Sequence, residues 1–161
     1  MSDLTHFDKD GRAVMVDVSD KTATHRVAIA SGFISMSKET LALVENKSAA
    51  KGDVIAVAEI AGIMGAKKTS DLIPLCHPLP LSNVTVSINI DKEKQGLEVI
   101  SEARITGKTG VEMEALTSVS VTLLTLYDML KASDKSMVIS DVKLIKKTGG
   151  KSGDWLRSEA R

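Results

Sequence analysis

Cysteine occurs once in this chain, proline three times and aromatic side chains four times. The lone Cys76 excludes an internal disulfide, and with no CxxC, no HExxH and no spaced His/Cys set the sequence offers no zinc site of its own. Phe7, Phe33, Tyr127 and Trp155 are too few for a platform on which bases stack. The 21 basic residues balance 21 acidic ones, so no global field draws the chain to nucleic acid or to a membrane surface. Any bound anion must therefore be held by a local cluster. No run of about 18 apolar residues is present to span a bilayer. The N-terminus, MSDLTHFDKDGR, has no apolar signal core, so the sequons at Asn46 and Asn83 carry no weight and a cytoplasmic location is expected.

What is present suits a single domain over residues 1–161, long enough to bury a core. Residues 1–20 read as an irregular arm. THRVAIASG (24–32) reads as a strand, and Ser37 is placed to cap the helix KETLALVEN, with Glu39 favoured by the dipole in its first turn. Asp53 is placed to cap VIAVAEIAGIMGA, where Val54, Val57, Ile60 and Met64 recur at helical spacing. VTVSINID (84–91) alternates strictly, and LEVISEARIT (97–106) pairs back onto it through the turn KEKQG. Residues 110–132 form the longest helical pattern, apolar on more than one face. One sheet cannot cover two faces, so burial by another subunit is expected. MVISDVKLIKK (137–147) is the last strand, and 148–161 reads as a flexible glycine-rich loop and tail. The order of strand, helices, two strands, helix and strand predicts an α+β, ferredoxin-like (split βαβ) fold, an antiparallel sheet with its helices packed on one face.

All three prolines fall in LIPLCHPLP (72–80), around Cys76 and His77. Pro74 and Pro78 restrict Ile73 and His77 to extended backbone, so His77 is held with few conformational options. An imidazole so held serves as acid, base or anion donor near neutral pH, or is simply satisfied by a backbone carbonyl in a stiff connector. Cys76, with no triad pattern nearby, reads as a small hydrophobe before a nucleophile. On the long helix, Glu114, Thr117, Ser118, Val121, Thr125 and Asp128 share a stripe, with Lys131 at its margin. Asp128 and Lys131, one turn apart, can exchange protons if desolvated, or can form an ordinary end-of-helix pair. Glu112 and Glu114 also suit a helix's first turn without further purpose. TGGKSGDW is not a phosphate loop of the GxxxxGK[ST] type, because Ile145 stands where glycine is required. It leaves glycine amides beside Lys146, Lys147 and Lys151, an anion-binding or merely solvated basic loop. Arg26, on a strand among apolar neighbours, reads as an anion clamp or a solvated strand arginine. Nothing in its spacing singles out Lys51.

Four stretches together, MVDVSDKTATHRVAIASG, KGDVIAVAEIAGIMGAKKTSDLIPLCHPLPLSNV, GVEMEALTSVSVTLLTLYDMLKA and KKTGGKSGDW, resemble the molybdenum cofactor biosynthesis protein C family of cyclic pyranopterin monophosphate synthases, over about residues 7–154. Leu130 departs from the cysteine expected there in many relatives, where no thiol role is implied. The resemblance implies a lyase that converts 3′,8-cyclo-7,8-dihydroguanosine 5′-triphosphate to cyclic pyranopterin monophosphate and releases pyrophosphate. It implies no required cofactor, with Mg2+ accompanying the triphosphate as an option. It further implies a homo-hexamer, a trimer of dimers, with sites between subunits. Carried onto this sequence, it makes Asp128 the catalytic acid/base, with Lys131 and Lys51 as the lysines of the chemistry. Leu75, Cys76, His77, Glu112, Met113 and Glu114 line the substrate, and Arg26 and Lys147 contact the triphosphate. Two rivals remain on the same scaffold. A non-catalytic nucleotide-binding regulatory domain would usually accompany another domain, and an RNA-binding module conflicts with the few aromatics and zero net charge.

Overall fold

In the computed structural model, residues 10–49, 52–151 and 153–158 are described. The first nine residues of the expected arm, Lys51, Ser152 and the last three residues of the tail lie outside them. β1 (Thr24–Ser35) leads to α1 (Lys38–Glu45), whose first turn is closed by the Ser37 hydroxyl accepting from Thr40 N–H at 3.2 Å. α2 (Val54–Lys67) begins the same way, Asp53 Oδ1 accepting from Ala56 N–H at 3.1 Å. Both caps satisfy amide donors that a helix start leaves open. A single turn, α3 (Thr69–Leu72), which the sequence pattern did not reveal, precedes the proline segment. The hairpin β2 (Asn83–Asp91) and β3 (Gly96–Gly107) is followed by α4 (Glu112–Leu130) and β4 (Val138–Thr148).

The strands form one antiparallel sheet in the order β2-β3-β1-β4-β5, where β5 (Trp155–Leu156) pairs with Lys146 and Lys147 at the edge. This is the split βαβ, ferredoxin-like arrangement with one short strand added. Where only a loop and tail were expected, Gly149 and Gly150 turn the chain back at φ +84° and +79°, values that a side chain disfavours. Arg157 then donates to the Leu144 carbonyl at 2.7 Å and fastens the returning strand.

Alternation builds the core. Ala28, Ala30 and Ile34 of β1 and Leu97, Val99, Ala103 and Ile105 of β3 are buried beneath Ala115, Val119, Leu123, Leu126 and Leu130 of α4. Much of the second apolar face of α4 is covered from within the chain by α2, while Leu124 stays 60% exposed. Gly62 and Gly65 permit the approach: a Cβ at Gly62 would collide with Thr122 Oγ1, and one at Gly65 would lie 2.8 Å from Val121 Cβ. α2 therefore buries a small-residue stripe, Val54, Ala58, Gly62, Gly65 and Ala66. Of the apolar positions that marked it as a helix, Val57, Ile60 and Met64 remain 45%, 59% and 61% exposed. The uncovered apolar surface thus lies mainly on α2. Among the described residues no helix is long and apolar enough to cross a membrane.

Candidate functional site: a two-chambered crevice at the start of α4

The proline segment crosses the N-terminal end of α4 and brings Leu75, Cys76 and His77 opposite Glu112, Met113 and Glu114. These six residues, closed by Val16 and Val18 of the arm, line a cavity of about 320 Å³. It adjoins a second cavity of about 950 Å³, and Lys21, Thr109, Gly110 and Glu112 border both. The second chamber is cationic: Lys21, Arg26, Lys108, Lys147 and Lys151 line it.

Sheet geometry explains the concentration of charge. Arg26 continues the helix-facing row of Ala28 and Ala30 beyond the end of the core, and Lys147 stands directly opposite Ala28 on β4. Lys146, its neighbour, has the opposite facing and does not line the cavity. Arg26 is oriented by main-chain acceptors: its Nε donates to the Gly107 carbonyl at 3.0 Å and its Nη2 to the Lys108 carbonyl at 3.2 Å. The backbone of the turning loop presses against the same guanidinium, since a Cβ at Gly150 would overlap Arg26 Nη1. Lys147 Nζ lies 3.1 Å from Glu112 Oε1 between the chambers, with side-chain exposures of 28% and 30%. A lysine there can move from the carboxylate to a stronger anion.

The smaller chamber holds the perturbed groups. Glu114 is 4% exposed, and burial raises its carboxyl to about 7, with the Glu112 charge pushing the same way. Burial also raises the Cys76 thiol, helped by Glu114, which favours the unreactive thiol over a nucleophilic thiolate. His77 Nε2 lies 2.9 Å from the Val16 carbonyl, which can only accept, so Nε2 carries the hydrogen and Nδ1 is left for another partner. His77 is thus both a backbone-satisfied histidine and a cavity wall.

Asp128 and Lys131 are not in this crevice. They form an ion pair of 2.7 Å at the far end of α4, fourteen residues beyond Glu114, or roughly 21 Å at the helical rise. The hydrogen bond from the ammonium to Asp128 raises the Lys131 pKa, which keeps this ammonium charged at neutral pH in the single chain. Lys51 lies outside the described residues. Of the other sequence-predicted residues, Leu75, Cys76, His77, Glu112, Met113, Glu114, Arg26 and Lys147 line one or other chamber. Sequence reasoning missed Val16, Val18, Lys21 and Lys108. The last sits in GKTG, a basic, glycine-flanked connection from strand to helix that could have been noticed, whereas the arm residues lay in a family-like stretch with no spacing that marked them as a wall. Among the described residues no group of His, Cys, Asp and Glu is arranged to hold a metal ion.

Fold and crevice together define a ferredoxin-like α+β protein with a mixed apolar and acidic chamber opening onto a cluster of cations. The chain belongs to the MoaC family, whose model matches residues 15–150. It is 59% identical over 153 residues to the cyclic pyranopterin monophosphate synthase of Dinoroseobacter shibae, covering 95% of this chain and 97% of the relative. The proteins of that name from Heliobacterium modesticaldum and Clostridium botulinum are 57% and 56% identical, over 99% and 95% of this chain and 100% and 96% of their own.

Proposed function

We infer that the protein catalyses the formation of cyclic pyranopterin monophosphate from 3′,8-cyclo-7,8-dihydroguanosine 5′-triphosphate with release of pyrophosphate, a lyase step of molybdenum cofactor biosynthesis. Near-full-length kinship with proteins named for that product supports the activity. The observation that carries the binding mode is the pairing of the two chambers, a small one able to take a nitrogen-rich ring and a cationic one able to take a triphosphate. In this reading Arg26, Lys147 and their neighbours hold the phosphates. A substrate hydroxyl attacks the α-phosphorus, the new P–O bond forms as the bond to the β-phosphate oxygen breaks, and the cations stabilise charge on the departing pyrophosphate. Leu75, Cys76, His77, Glu112, Met113 and Glu114 wall the ring. Near its raised pKa, Glu114 can donate a proton to a ring nitrogen or accept one. No resident cofactor is required, and a Mg2+ ion arriving with the triphosphate belongs to the substrate.

Opening the imidazole ring with water and closing the pyrazine ring needs proton transfers, which we assign to Asp128 and Lys131 with Lys51. Because about 21 Å of helix separates Asp128 from Glu114, this reading has Asp128 and Lys131 supplied by a second copy of the chain. The homo-hexamer, a trimer of dimers with sites between subunits, meets that need. The apolar strip Val57, Ile60, Met64, with Leu124 of α4 at 60% exposure, is the face such an assembly would cover. Desolvation there would pull the Lys131 pKa down toward a proton-transferring range. A purely regulatory nucleotide-binding domain finds no support in the relatives. The direct test is to mix purified protein with the cyclised GTP derivative and follow pyrophosphate and the cyclic monophosphate product. Absence of both, with bound substrate recovered unchanged, would favour a binding domain.

A further inference from the structure

Between residues 10 and 23 the arm is exposed except at Val16 and Val18, which are half-buried against the smaller chamber. Asp17 Oδ1 accepts from Ser19 N–H at 2.8 Å and Lys21 N–H donates to the Val18 carbonyl at 3.1 Å, folding 17–21 into a compact turn. Two side chains fasten that turn to the body. His77 holds the Val16 carbonyl at 2.9 Å, and Lys108 Nζ donates to the Ser19 carbonyl at 2.6 Å. The fastened turn supplies Val16, Val18 and Lys21 to the smaller chamber and Asp20, Lys21 and Thr22 to the larger. It is thus a wall common to both, built from a segment with little apolar burial of its own to keep it in place.

Lys108 occupies a junction. Its main-chain carbonyl orients Arg26, while its ammonium holds the turn that carries Lys21, so one residue sets two cations of the larger chamber. We propose that Lys108 is a positioning residue: its ammonium fastens the turn 16–22 as a detachable wall and so sets Val16, Val18 and Lys21 against the substrate. This rests on the activity inferred above, but its central contact is testable without turnover. A wall of this kind improves ground-state and transition-state binding alike, so its loss shows in KM rather than kcat.

The test compares Lys108→Met, which keeps the length of the stem and the main-chain contact to Arg26, with Lys108→Arg, which keeps the donor. Two readings are taken on the assembled protein: steady-state kinetics with the cyclised GTP derivative, and the rate at which trypsin produces the chain beginning at Thr22. Lys108→Met is expected to raise KM about tenfold with kcat within about twofold, and to speed cleavage after Lys21 about tenfold, as for a lost charge-assisted hydrogen bond. Lys108→Arg is expected to restore both to within about threefold. Unchanged cleavage in Lys108→Met would overturn the proposal whatever happened to KM, because the ammonium would then act on ligand directly or not at all. Faster cleavage with unchanged KM would overturn it too. If wild-type protein shows no turnover, the inferred activity fails, and cleavage alone still decides whether Lys108 holds the wall.

Discussion

The two ends of α4 carry carboxylates of opposite character. At its start, Glu114 is 4% exposed, walled by the proline segment and arm, and raised to about 7 by that burial. At its finish, Asp128 and Lys131 keep 58% and 54% of their side-chain surface and neutralise each other in solvent. One helix therefore presents a walled chamber at its start and a solvated ion pair at its finish. A pair that water screens exchanges protons with water first; only desolvation directs the exchange to a substrate. On the proposed function, the ring-binding half of the chemistry is preorganised in a single chain and the acid/base half is not, so that reading requires assembly.

The most severe way to break that contrast is to divide the two ends between chains. Asp128→Ala and His77→Ala assemblies should each lose more than about 100-fold in pyrophosphate release, the usual order for a missing acid/base or anchored donor. Unfolding the two together and refolding them as a mixture should return about a quarter of wild-type activity, the random share of sites drawing both intact groups from different copies. No recovery would place both groups in one chain's site. Ile60→Asp puts a charge on the exposed strip of α2 and should convert the assembly to smaller species in sedimentation, with activity falling at least tenfold and the monomer fold kept.

The two carboxylates also differ in their effect on stability. The folded-state value of Glu114 lies above its unfolded value of 4.5, so its contribution is full below pH 4.5 and is lost as pH rises through about 7. Glu114→Gln should remove that decline, a difference of up to roughly 3 kcal/mol across the interval, read from denaturant unfolding at several pH values. Asp128→Asn should do least, shifting the melting temperature of the isolated subunit by under about 2 °C even as it abolishes turnover, because exposed ion pairs contribute little. A large shift would mean that the pair is structural.

Much of this was legible before the fold was known. The four longer strands and the three longer helices were read within three residues of their observed ends, because Ser37 and Asp53 are unambiguous caps and Val84 to Ile90 alternate without interruption, whereas β5 was read as tail. Local pattern was less informative about neighbours. Val57, Ile60 and Met64 signalled helix correctly, yet the buried side of α2 is its alanine and glycine stripe, which no hydrophobicity pattern ranks first. The turn 16–22 lay inside a stretch that carries the family resemblance, but nothing in its sequence pointed to a chamber wall; its place depends on two side chains about 60 and 90 residues away.

Residue order alone dictated the order of the longer elements and the stiff backbone at His77, which depend on chemistry within a few neighbouring residues, and the family kinship, which is carried by several separate stretches. Folding in three dimensions settled which carboxylate is buried and which is wet, that five cations scattered from Lys21 to Lys151 converge on one chamber, and that α2 packs its small-residue stripe on α4. Those outcomes depend on desolvation and charge proximity, which are properties of distance through space and are invisible to distance along the chain.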